Sequence, residues 1–213
     1  MFYVKLNRAF LAGVFVMALM SSLFGKTQKI GGVTWSYEIL DGWYDCTNDE
    51  YYEGKHAVVL GAKGVKGKMS IPSALGGCPV WVIDDWAFED NQSITSVIIP
   101  EGVKCIGAWA FEECRNITSV KFPEGLIVIG FDAFCGCRKL KNVTIPSTVN
   151  SGIAFVFCKE MTAINVADNN PYFKSVDGVV YSKDGTHLVY VPAGRTGEFI
   201  VPCGVEAIEP EAF

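Results

Sequence analysis

The dipeptide Ala-Phe recurs at Ala87-Phe88, Ala110-Phe111 and Ala133-Phe134, a spacing of 23 residues, and Pro100, Pro123 and Pro146 keep the same spacing. Phe157 continues the phenylalanine series by another 23. Between these anchors the pattern apolar-x-x-apolar-x-apolar repeats. Ile94–Pro100 aligns with Ile117–Pro123 and with Leu140–Pro146, and Met161–Val166 keeps the apolar positions without the proline. A fixed period of this length means stacked coils, because one such coil cannot bury its own inner face while its neighbours can bury it.

The spacing also assigns faces. Side chains alternate across a strand, so the last two apolar residues of each copy share an inner face. Proline, which cannot donate to the ladder, ends the strand. Inner columns follow: Ile99, Phe122 and Ile145 in one, Phe88, Phe111, Phe134 and Phe157 in a second. Cys114 and Cys137 share a third, with Asn91 one step earlier. Ile83 and Ile208 take the place of Ile106 and Ile129. The outward positions are Ser96, Ile98, Ser119, Lys121, Asn142, Thr144, Ala163 and Asn165, small and mostly uncharged. These form the candidate ligand-binding face.

The units Ile106–Val128 and Ile129–Asn150 resemble the BspA-like leucine-rich repeats (leucine-rich repeat 5) of bacterial and protozoan surface proteins, and the resemblance runs over residues 80–213. Lys68–Val80 is similar to the lead-in such proteins carry, and Asn169–Pro202 to a variant insertion. Within that insertion Asp177-Gly178 and Asp184-Gly185 are hairpin-turn signals. The fold class expected is a repeat solenoid of the leucine-rich-repeat type. It has a parallel β-sheet face of about 23-residue coils, an irregular or short-helical opposite side and a β-rich N-terminal cap. The resemblance implies a cell-surface or secreted adhesion module, with a protein or glycan partner on a host or another cell.

Lys5 and Arg8 precede the uncharged run Ala9–Phe24. Its 16 residues are fewer than the roughly 20 a spanning helix needs. Residues 1–25 therefore read as a secretory signal peptide, an uncleaved signal anchor being the other reading. Residues 26–79, with Trp35, Tyr37, Trp43, Tyr44, Tyr51 and Tyr52, read as a cap that closes the first coil. An aromatic carbohydrate platform would use the same residues. Residues 80–213 then hold four coils and part of a fifth ending at Ala212-Phe213. That last coil suggests either an edge for self-association or a fragment of a longer surface protein.

Composition bears on chemistry mainly by what it lacks. The net charge is −5, and removing Lys5 and Arg8 from the 18 basic residues leaves 16 against 23 acidic, −7. The longest basic stretch is Arg138-Lys139-Leu140-Lys141, which argues against nucleic acid as a partner. No nucleophile elbow, zincin motif or P-loop is present, and Asp84-Asp85 as strand neighbours would face opposite ways. Glu112 and Glu113 read as solvated corner residues. His56 and His187 have no ligand-spaced partner, and Cys135-Gly136-Cys137 is CxC rather than CxxC. The expectation is a non-catalytic protein with no catalytic residues, no metal and no cofactor. The recurring cysteine position points to packing rather than bridging. Asn91, Asn116 and Asn142 each open an Asn-x-Ser/Thr sequon, meaningful only in a eukaryotic secretory pathway.

Overall fold

The computed structural model describes residues 25–45, 50–153 and 155–213 of the 213-residue chain. The run Ala9–Phe24, on which the export reading rests, and Cys46 lie outside the described residues.

The chain begins as an antiparallel meander, β1 (Lys26–Ile30), β2 (Val33–Asp45) and β3 (Glu50–Lys63). It continues through β4 (Gly67–Ser70) and β5 (Ala74–Leu75) into β6 (Cys78–Ile83), which pairs in parallel with β3. Trp35 and Tyr37 are buried against the first coil, Trp35 edge-on to Phe88 with ring centroids 6.3 Å apart. These aromatic residues are therefore core, while Tyr51 is exposed.

The first two coils each contribute a longer strand, a turn, a two-residue strand and a corner, and the next two keep the longer strand. The longer strands are β7 (Ile94–Ile98), β9 (Ser119–Lys121), β11 (Asn142–Ile145) and β12 (Ala163–Val166). The short ones are β8 (Cys105–Ile106) and β10 (Val128–Ile129). Pairing is parallel throughout: β4-β7-β9 and β11-β12 on one side, β6-β8-β10 on the other. The side opposite the longer strands is thus turns and a second short ladder, and the described residues contain no helix, in place of the short helices allowed above.

The corner has a hydrogen-bond ladder of its own. Trp86, Phe88 and Asp90 N–H groups donate to Ala108, Ala110 and Glu112 carbonyls, and Trp109, Phe111 and Glu113 repeat this to Phe131, Ala133 and Cys135. The turn requires left-handed backbone at two positions, filled by Trp86, Trp109 and Asp132 and by Asp90, Glu113, Gly136 and Phe157.

That register corrects the phenylalanine column. Phe155, not Phe157, stacks on Phe134, with centroids 5.6 Å apart, while Phe157 is 65% exposed. The coil from Phe134 to Phe155 is 21 residues long, two having been lost at its corner. The same offset carries Cys137 to Cys158 and Leu140 to Met161. Phe88, Phe111 and Phe134 stack at 5.1 and 5.0 Å, close to the parallel-strand spacing that sets the rise per coil.

The cysteine column is buried and hydrogen-bonded. Cys114, Cys137 and Cys158 thiols donate to the Phe88, Phe111 and Phe134 carbonyls at 3.0, 3.3 and 3.2 Å. Burial above all pushes Cys114 and Cys158 up to about 12, and raises Cys137 further. Cys114, Cys137 and Cys158 form no disulfide, and of the seven described cysteines Cys203 is the exposed one.

Beyond β12 the chain leaves the regular coil. Asn170 directs the exit: it is fully buried, its Nδ2 donates to Pro146 and Val149 carbonyls, and its Oδ1 accepts from Tyr172 and Phe173 N–H. β13 (Phe173–Val176) and β14 (Val179–Ser182) form a hairpin through Asp177 and Gly178, both at positive φ. β14 pairs antiparallel with β15 (His187–Tyr190), and β16 (Ala207–Ile208) rejoins in parallel. Ile208 keeps the backbone position of Ile106 and Ile129, Glu209 N–H donating to Leu188 O as Gly107 N–H does to Ile83 O, but it is half exposed.

Two outcomes follow. Phe155→Ala should cost about 3–5 kcal/mol in denaturant unfolding, and Phe157→Ala within about 0.5 kcal/mol. A 23-residue register would reverse the order. Iodoacetamide on the folded chain, read by peptide mass spectrometry, should label Cys203 and spare Cys114, Cys137 and Cys158.

Candidate functional site

The outward residues of the longer strands lie on one side of the solenoid. Ser119, Lys121, Asn142, Thr144 and Asn165 are exposed, and Ser96 and Ile98 are half-buried. Strand alternation puts them there, since Val97, Val143 and Ile164 point inward and are buried. Registers Ser96↔Ser119 and Ile98↔Lys121 align the first part of the face, and Asn142↔Ala163 and Thr144↔Asn165 the second.

Between these parts the sheet is broken. β9 and β11 belong to separate sheets, although their sequences keep the same apolar pattern and proline. Phe122 supplies the physical reason. It occupies the column position of Ile99 and Ile145, and its ring lies edge-on to Phe134 at 5.7 Å and 77°. An aromatic ring standing across the column needs more room than the parallel rise allows, so the strands beside it part. Ser119, Lys121, Glu124, Asn142 and Thr144 line the resulting shallow cleft of about 310 Å³. The Glu124 carboxylate accepts from Ser147 Oγ at 2.8 Å. The inward substitution thus shapes the outward surface, a link not visible from the outward residues alone.

The far edge of the face is covered. Ile164 N–H donates to Gly178 O at 2.9 Å and Val166 N–H to Ser175 Oγ at 3.0 Å, so the β13–β14 hairpin closes the free edge of β12. A Cβ on Gly178 would stand 2.7 Å from Ala163, so this approach requires glycine. Ala163 is half-buried beneath the turn while Asn165 stays open.

The acidic pairs lie elsewhere. Asp84 and Asp85 sit in the corner after β6, not on a strand, so the opposite-face argument does not apply to them. Asp85 Oδ1 accepts from Ala108 N–H at 2.7 Å, which ties two corners together. Burial first, then the Asp85 charge, raises Asp84 to about 6, against an opposing hydrogen bond from the Asp85 backbone. Glu113 is not simply solvated: it pairs with Arg115 at 2.6 Å and Arg138 at 3.6 Å. His56 is fully buried, its ring stacked on Trp81 at 4.7 Å. Among the described residues no group of three or more His, Cys, Asp or Glu is placed to hold a metal ion. No helix among them is long and apolar enough to cross a membrane. Of the sequons, Asn142 is exposed, whereas Asn116 is engaged with Gln92 O and Lys139 Nζ.

With the geometry in place, the likeness to known proteins can be stated. Residues 79–176 match the model of the BspA type leucine-rich repeat region in six copies. A leucine-rich repeat protein from Bacteroides capillosus is similar in structure, with a TM-score of 0.52 and 27% identity over 66% of this chain and 98% of that one. The Treponema pallidum leucine-rich repeat protein gives 0.43 and 23% over 58% and 67%. A leucine-rich cell surface protein from Faecalibacterium prausnitzii gives 0.40 and 18% over 78% and 62%. No curated protein matches the chain.

Phe122→Ile should let β9 and β11 pair, slowing amide hydrogen exchange at Val143 and Thr144 by about tenfold or more. Asp84 is raised in the folded state, so the stability it contributes is present below about pH 4 and lost as pH rises through about 6. Asp84→Asn should therefore match the parent at pH 4 and exceed it by roughly 1–3 kcal/mol at pH 8 in thermal or denaturant unfolding.

Proposed function

We propose that this chain, whose residues 79–176 match the model of the BspA type leucine-rich repeat region, is a non-catalytic binding module, displayed at a cell surface or secreted, whose longer-strand face receives a protein or glycan partner. The observation that carries the reading is the exposed row Ser119, Lys121, Asn142, Thr144 and Asn165, with Ser96 and Ile98 beside it and the β9–β11 cleft at its centre. Hydroxyl and amide side chains on a rigid sheet hold donors and acceptors in place before the partner arrives, which lowers the ordering cost of binding. The face carries Lys121 and, beside Ser96 on β4, Lys68, with Glu124 at the cleft rim, so its charge is small and weakly positive. The export pattern of residues 1–25 supports display at a surface or secretion.

The test is a screen of the full chain against immobilised matrix proteins and a glycan array, repeated with Ile98→Glu/Lys121→Glu. Two carboxylates placed side by side on β7 and β9, next to the cleft, should abolish capture of the partner while leaving the unfolding transition within about 0.5 kcal/mol. Capture that is unchanged in the double variant would remove this face from the reading.

A further inference from the structure

The shortened coil leaves a step in the solenoid wall. Gly152 stands where neighbouring coils place Ile83, Ile106 and Ile129, and its backbone runs so close to Ile129 that a Cβ would lie 1.6 Å from that carbonyl oxygen. The corner of this coil is therefore drawn in. The unit β13–β16 does not fill the space, and a cleft of about 530 Å³ remains on a different part of the surface from the face described above. Ile153, Phe173 and Val189 supply apolar wall, and Asp184, His187 and Glu209 line the same opening.

The two carboxylates are each half committed. Ser182 Oγ, Thr186 N–H and Thr186 Oγ1 all donate to Asp184 Oδ1, at 2.6, 3.0 and 2.9 Å, which fixes the side chain at the edge of the opening. These bonds hold the Asp184 carboxyl down at about 2, so it is ionised at any ordinary pH. Glu209 Oε1 is engaged with His187 Nδ1 at 2.7 Å, and Oε2 remains. Lys183 Nζ donates to the Asp168 carbonyl at 2.8 Å, and Lys174 Nζ lies beside Gly185.

We propose that this cleft is a second binding site and receives a lysine or arginine side chain of a partner protein. The aliphatic stem lies along Phe173, Val189 and Ile153, and the cationic head sits between Asp184 and Glu209. Long basic side chains bury their methylene stems on apolar surface while the charge finds its own partners, which matches this pairing of wall and carboxylates. An anion would meet two fixed negative charges, and a sugar would find apolar wall where it needs hydrogen-bond partners. Geometry recommends the site, since its carboxylates come from separate segments brought together by the parallel pairing of β15 with β16 beside the step at Gly152.

The test uses the full chain, ¹⁵N-labelled, at low ionic strength. It is titrated with the capped peptide Gly-Lys-Gly, with its neutral norleucine counterpart, and with n-butylamine. The lysine peptide should give saturable shifts at the amides of Gly185, His187 and Glu209. The norleucine peptide and the Asp184→Asn/Glu209→Gln variant should each bind at least tenfold more weakly. Asparagine keeps the acceptor that the turn needs, and should the double variant fail to fold, Glu209→Gln alone must still weaken binding. Equal binding of the norleucine peptide would overturn the proposal, as would shifts spread over the Glu112 and Glu113 corner or an unaffected variant. Binding of n-butylamine with exclusion of the peptide would overturn the protein as the source of the cation.

Discussion

Everything in this molecule hangs on the parallel hydrogen-bond ladder between coils. Because neighbouring coils must lie about 4.8 Å apart for their backbones to pair, a side chain at a given coil position meets its equivalent above and below and little else. The phenylalanine rings stack at 5.0–5.6 Å for that reason, and a thiol reaches the carbonyl of the coil before it for the same reason. Three ladders run up the solenoid, one on each strand side and one through the left-handed corner, so the backbone of each regular coil is satisfied in turn. The core needs no design beyond repeating one coil's choices.

The same constraint makes departures informative. A residue of the wrong size in a column cannot be absorbed by sliding, since the ladder holds the rise. It is relieved instead by a local failure of pairing, as beside Phe122, or by a change of coil length at a corner, as before Phe155. Both relief points produce concavity. The β9–β11 cleft follows from a ring too large for its column, and the step at Gly152 from two residues too few. In each case the functional candidate is a by-product of a fault in the repeat.

This explains how far the sequence could be read. The coil length, the inner columns from Phe88 to Phe134, the cysteine position and the outward row are all consequences of period, and period is visible in one dimension. The Phe155 assignment was hidden because Phe157 preserves the spacing of 23, whereas the two-residue loss shows only through Cys158 and Met161, which shift together. The parting of β9 and β11 was hidden for a different reason. It depends on the volume of Phe122 relative to its neighbours in the column, and an apolar position looks equally apolar whatever its size. Asn170 could not be singled out among the polar residues of its turn, because its four hydrogen bonds join carbonyls and amides more than 20 residues apart.

The column of cysteines sets a condition on how the chain is made. In the finished molecule the thiols are sealed off, but neighbouring coils place equivalent residues within the Cα separation of about 4.4–6.8 Å at which a disulfide can close. A nascent chain in an oxidising compartment would hold these thiols exposed until the coils stack. Correct assembly there is a race between stacking and cross-linking. The solenoid is well placed to win it, since each coil needs only the one before it, and contacts at this short chain separation close quickly. Each coil added withdraws its own sulfur from chemistry as it docks.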